Sequence, residues 1–209
     1  MHIISEAPIT RRRMLAAAIT AIAAAATPTA APARATAQSY AVSLGQQVIR
    51  LTSSGISDAA LKKRFVSLFT RTANIDSVAR FALGKYARRL PRQMWPTYRR
   101  LVLIYITNLL VWYRQELAAQ KIVARGRIAR RGRWMTVPTQ LVFSNGATST
   151  VKWRVLDAGG RYHVGDVNIK GIWLSLRMRD KFVAILNKSG GDFAPLLAYL
   201  RESETWKRN

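Results

Sequence analysis

The sequence predicts an α+β fold: a twisted antiparallel sheet of about four strands packed against several helices around an apolar cavity. Three observations predict it. Residues 121–169 alternate apolar with basic or polar side chains in runs separated by glycine-bearing turns, the period of two that marks half-buried strands. Runs of helical period lie on both sides of that region. The apolar side of the alternation carries large aromatic residues, and such a sheet face has to be covered by helices.

The strands follow in order. Ile122, Ala124, Gly126 and Ile128 share one face of a first strand, with Val123, Arg125 and Arg127 on the other. Gly132 offers a turn into a second strand, 134–143. Asn145-Gly146 then supplies the two positive-φ positions of a tight hairpin. In the third strand Val151, Trp153 and Val155 alternate with Lys152 and Arg154, and Gly159-Gly160 turns the chain into a fourth, 162–169. There the apolar phase slips from Tyr162 and Val164 to Val167 and Ile169, which predicts a bulge at Gly165.

The helices frame this meander. Residues 42–51 read as a first amphipathic helix. Ser57 is a good N-cap for a second, in which Leu61, Phe65, Leu68 and Phe69 form the apolar stripe. A short helix over 76–83 ends at Gly84, and Pro96 opens a long helix reaching about residue 117. That helix is apolar on two adjacent stripes, Tyr105/Leu109/Trp112 and Ile106/Leu110/Tyr113, so it is expected to be covered on two sides. Helices over 174–187 and 193–200, separated by Gly190-Gly191, close the chain.

Composition bounds the function. The 209 residues carry 34 Lys and Arg against 10 Asp and Glu, a net charge of +24, with ordinary apolar content. This balance favours anionic partners. No cysteine occurs, which excludes disulfides, thiolate zinc sites and cysteine nucleophiles. Residues 1–37 read as a cleaved export signal and 38–209 as one domain. Arg11-Arg12-Arg13 precede an alanine-rich apolar run, and A-x-A cleavage sites follow at Ala33-Arg34-Ala35 and Ala35-Thr36-Ala37. Paired arginines before a moderately apolar run favour twin-arginine export; an ordinary Sec signal is the alternative. The later apolar run 101–113 is short for a membrane span.

Little in the chain points to catalysis. His163 stands alone in a strand, with no serine or cysteine nucleophile motif beside it. Neither metal-ligand spacing nor a phosphate-binding glycine loop is present, so no catalytic residue, metal site or cofactor is expected. Arg125, Arg127, Arg130, Arg131 and Arg133, near Trp134, fit a solvated strand face that touches an anionic lipid surface or acidic partner better than a nucleic-acid surface. The aromatic set reads either as a filled core or as the wall of an apolar cavity for an amphiphile.

At the end of the meander, Asp166-Val167-Asn168-Ile169-Lys170-Gly171-Ile172-Trp173-Leu174, with Arg179 and Phe182 beyond it, resembles the D-V-x-I-E-G-V-S-L-x4-R-x-x-F pattern of the MlaC or toluene-tolerance (Ttg2) family. Phe81-Ala82-Leu83-Gly84-Lys85-Tyr86 resembles that family's LG-x-aromatic segment. Lys170 and Trp173 depart from the pattern, standing where it has an acidic residue and a serine. The resemblance implies a periplasmic, non-enzymatic carrier of phospholipid. Its partners would be the membrane-bound complexes of an ABC-type lipid transport system and, transiently, an anionic membrane surface; nucleic acid is not expected. A carrier of hopanoid or another terpenoid lipid is one alternative, and an exported enzyme on a related scaffold is another.

On that reading the cavity is lined by Tyr105, Leu109 and Trp112 of the long helix and by Leu141, Phe143, Val151, Trp153, Val155, Tyr162 and Val164 of the sheet. Gly84, Asp166, Gly171, Arg179 and Phe182 carry the motif in a structural role: Gly171 for a tight strand-to-helix passage, Arg179 paired with Asp166. Headgroup binding is the alternative for that pair.

Overall fold

Helix α1, Ala37–Thr52, begins well before residue 42, because Thr36 and Ser39 form a reciprocal cap: the Ser39 N–H donates to Thr36 Oγ1 at 3.1 Å and the Thr36 N–H to Ser39 Oγ at 2.9 Å. The computed structural model describes residues 36–115 and 117–206, so the segment expected to be an export signal lies, but for its last two positions, outside the described residues. Helix α2, Asp58–Thr72, starts at Ser57 as expected, with the Ala60 N–H donating to Ser57 Oγ. Helix α3, Ile75–Ala82, is capped by Asn74 and ends at Gly84 as expected, where that glycine, with φ +53° just past the Leu83 cap, opens a 3-10 turn. Helix α4, Trp95–Trp112, carries Pro96 in its first turn, where the missing N–H costs nothing. Helices α5, Leu174–Lys188, and α6, Ala194–Glu202, follow the sheet.

The sheet is antiparallel, and among the described residues it has six strands rather than about four. The order is β1 (Lys121–Ala124), β3 (Trp134–Val142), β4 (Thr148–Asp157), β5 (Tyr162–Ile169) and β6 (Ile172–Trp173), with β2 (Ala129–Arg131) also paired to β3. The expected first strand is split in two, and Pro138 supplies the reason. Its position in β3 falls between the two registers, Thr139 opposite Ala124 and Thr136 opposite Ala129, and it has no N–H for the ladder. The Arg125 N–H still reaches the Pro138 carbonyl at 3.1 Å.

The turns also differ from expectation. At Asn145-Gly146 only Gly146 has positive φ, +80°, and the Gly146 N–H donates to the Phe143 carbonyl, so the hairpin closes on a longer loop that ends in a left-handed glycine. The tight turn with two positive-φ residues, expected there, is found at Lys170 (+50°) and Gly171 (+86°), which fold β5 back onto β6. Gly171 therefore makes a hairpin, not a direct passage from strand to helix.

The bulge falls where the phase slip places it. Arg154 pairs with Asp166 but Val155 pairs with Val164, leaving Gly165 as the extra residue. A Cβ at Gly165 would lie 2.4 Å from the Trp134 ring, so only glycine fits beneath that indole.

The core forms two clusters. One joins α1, α2 and the inner face of the sheet through residues such as Leu44, Phe65, Val137 and Trp153. The other joins α3 to α6 through Tyr98, Leu101, Phe182 and Leu196. Helix α4 contributes to both, with Val111 in the first and Leu101 in the second.

Candidate functional site

Where the two clusters meet, the packing leaves an apolar cavity of about 110 Å³. Its walls are Gly45, Val48 and Ile49 of α1; Phe69 and Ala73 at the end of α2; Ile75 and Val78 of α3; Ile106 and Leu110 of α4; and the inner face of the sheet. Gly45 lets α1 approach closely, since a Cβ there would lie 2.5 Å from Ile122 Cδ1. Trp153 presents an apolar ring, because its indole N–H donates to Thr139 Oγ1 at 2.9 Å and that hydroxyl donates on to the Val151 carbonyl at 3.0 Å.

Of the residues expected on the sheet wall, Leu141, Val151, Trp153 and Val164 line the cavity. Val155, Phe143 and Tyr162 belong to the surrounding cluster without lining it. On the long helix the expectation is corrected. Tyr105, Leu109 and Trp112 face away, toward α5, α6 and the C-terminal turn: Tyr105 meets Phe182 at 5.6 Å and Tyr199 at 5.9 Å between ring centroids, and Trp112 meets Trp206 at 6.4 Å. The neighbouring stripe, Ile106 and Leu110, faces the cavity. A helix apolar on most of its circumference carries no periodic signal for which stripe meets which neighbour.

Sequence reasoning did not assign α1 and α3 to the wall, nor Val167 and Ile169. A signal for the last two existed: the bulge at Gly165 shifts the strand by one residue, which puts Val164, Val167 and Ile169 on the same side.

The rim at β5, β6 and α5 holds the polar groups. Asp166 has a side chain only 2% exposed; it accepts from the Val167 N–H at 2.9 Å, the Ser175 N–H at 3.0 Å and the Ser175 hydroxyl at 2.5 Å. Arg154 Nη1 stands 3.6 Å from Asp166 Oδ2, and its guanidinium lies 4.3 Å from the Trp173 ring centroid. Arg179 is not the partner of Asp166. It lies one turn further along α5, over the Phe81 ring at 5.2 Å and beside Gly84. Phe182 is buried between Tyr98 and Tyr105.

Burial pushes the Tyr40 hydroxyl up to about 12, and it raises those of Tyr98 and Tyr105 as well. His163 is half-buried in β5, opposite Leu156. Among the described residues no cluster of three or more His, Asp or Glu is placed to hold a metal ion.

This architecture has a solved counterpart. The structure of a phospholipid-binding protein from Ralstonia solanacearum, in complex with a phospholipid, is similar with a TM-score of 0.65 and 20% sequence identity, over 81% of this chain and 97% of that one. A comparison with curated proteins finds no match. The model of the MlaC protein family matches residues 44–202, a span running from α1 to α6 and including the whole sheet and every wall of the cavity, and the chain belongs to the MlaC family.

Proposed function

We propose that this chain is a soluble carrier that holds a phospholipid with its acyl chains between the sheet and the helices. The observation that carries the reading is the apolar cavity at the junction of the two core clusters of a MlaC-family chain, together with the phospholipid held by the similar Ralstonia protein. Each methylene removed from water contributes about 0.8 kcal/mol, so two acyl chains of ordinary length represent roughly 20 kcal/mol. A basic side chain near an anionic surface contributes only about 1 kcal/mol. Extraction of a lipid from a membrane therefore rests on the apolar walls, with the arginines guiding contact with anionic surfaces.

At about 110 Å³ the cavity is smaller than the roughly 300–1,000 Å³ of a typical ligand site. Loading is thus coupled to separation of the two core clusters, along the seam where the packing is already incomplete. Among the described residues the wall is apolar apart from Asp166 and Ser175, which hydrogen-bond to each other, and this favours binding over catalysis.

In this reading the carrier is exported to the periplasm and exchanges lipid with membrane-bound complexes of an ABC-type system. Among the described residues no helix is long and apolar enough to cross a membrane. Signal cleavage after Ala35 leaves Thr36 to cap α1, whereas cleavage after Ala37 removes that cap.

Mass spectrometry of the protein purified without detergent, first native and then after organic extraction, tests the reading. A phospholipid in stoichiometric amount is expected. Recovery of a terpenoid keeps the carrier and changes its cargo; a protein that carries no lipid and takes none from vesicles overturns it.

A further inference from the structure

Helix α1 is a wall with two sides. Gly45, Val48 and Ile49 line the apolar cavity, while Gln47, Arg50, Leu51 and Ser54 line a second hollow, completed by Arg64, Ser67, Leu68 and Arg71 of α2. This outer groove measures about 480 Å³, within the roughly 300–1,000 Å³ range of ligand sites.

Its chemistry is cationic. Arg64 and Arg71 stand two turns apart on one face of α2 with Ser67 between them, and Arg71 donates to the Ser67 hydroxyl. Arg50 arrives from the last turn of α1. Among the described residues no carboxylate lines the groove, and none of the three arginines has one within 4.0 Å. Several arginines elsewhere are matched: Arg114 with Asp58, Arg130 with Asp157, Arg80 over Trp95 and Arg154 over Trp173. Like charges gathered in one concavity repel, and an anion that accepts from several of them relieves that repulsion.

We propose that the α1–α2 groove is a binding site for a phosphate-bearing anion, separate from the apolar cavity. A carboxylate offers two oxygens in one plane. A phosphate offers three or four in a tetrahedral array, which suits guanidinium donors arriving from two helices, with the Ser54 hydroxyl and the Gln47 amide beside them. A free phosphate ester and a membrane lipid headgroup present this same chemistry.

Calorimetric titration of the purified chain with sodium phosphate, against sodium chloride at equal ionic strength, tests the site. Saturable phosphate binding is expected, weakened about tenfold per guanidinium in Arg64→Gln and Arg71→Gln. Lys63→Gln, on the same helix but outside the groove, leaves it unchanged. Val164→Phe, which fills the cavity on the other side of α1, also leaves it unchanged, so the result is independent of lipid carriage. All three substituted cations are exposed, and circular dichroism confirms that the variants fold. Sedimentation with phosphatidylglycerol vesicles separates the sources. Vesicle binding that the arginine variants lose and glycerophosphate competes assigns the site to a headgroup, whereas titration by phosphate without vesicle binding assigns it to a free anion. The proposal is overturned if phosphate binds no better than chloride, or if Lys63→Gln weakens binding as much as the arginine substitutions do.

Discussion

Asp166 caps helix α5 from strand β5: its carboxylate takes both the backbone N–H and the hydroxyl of Ser175, the second residue of that helix. Trp173, at the N-cap position, provides no side-chain cap of its own. The nine-residue separation between the partners is bridged by the Lys170-Gly171 hairpin and the short strand β6, so the motif from Asp166 to Leu174 is a device for joining sheet to helix at the edge of the cavity.

Ser175→Ala, which removes one of these bonds, is expected to lower stability by about 1 kcal/mol. Asp166→Ala leaves the buried N–H of Ser175 and the half-buried N–H of Val167 without their acceptor and is expected to cost about 3 kcal/mol. Arg179→Ala, on an exposed residue stacked over Phe81, is expected to cost less than about 1 kcal/mol. Urea unfolding of the three variants checks the order, and a large loss for Arg179→Ala contradicts the assignment of Ser175 as the partner.

The Gly165 bulge gives a second expectation. Gly165→Ala drives a methyl group into the Trp134 ring and should destabilise the protein by about 1–3 kcal/mol. Adding Trp134→Leu should recover part of that loss, because the collision is with the ring itself. A double-mutant cycle by thermal unfolding measures the coupling; simple additivity of the two changes refutes the contact.

The walls of the cavity can be distinguished from the rest of the core by substitution. Val164→Phe and Ile106→Trp should leave a folded protein that recovers markedly less lipid in the extraction experiment. Trp112→Ala, on the opposite side of α4 against Trp206, should leave the recovery unchanged. If Trp112→Ala abolished recovery while Val164→Phe did not, the ligand would lie on the other face of α4.

Alkaline pH should unfold the protein through its buried tyrosines. The Tyr40 hydroxyl donates to the Thr72 carbonyl at 2.8 Å, and burial holds its pKa at about 12. In the unfolded chain a tyrosine ionises near 10. Between these values the unfolded state has lost the proton that the folded state keeps, so stability is fully present below about pH 10 and falls as pH rises toward 12. Tyr98 and Tyr105, also raised by burial, act in the same direction. Tyr40→Phe should give a shallower fall in urea midpoint from about pH 9 to 11 than the parent. An unchanged slope removes Tyr40 from the account.

Local rules decided much of what the sequence determined. Alternation of period two located the inner face of β3 and β4; Ser57 and Pro96 placed helix starts, and the phase slip at Gly165 placed the bulge, because each depends on neighbours a few residues apart. The resemblance carried by residues 166–182 gave the family for the same reason, its motif being contiguous. Only the tertiary structure decided the rest. Pro138 interrupts a strand that lies far from it in sequence, Asp166 chooses Ser175 over Arg179 because the hairpin folds one back and the helix carries the other away, and α4 turns Ile106, not Tyr105, toward the cavity. These are long-range choices among partners that local patterning leaves equivalent, and the packing of two core clusters against each other is what selects one.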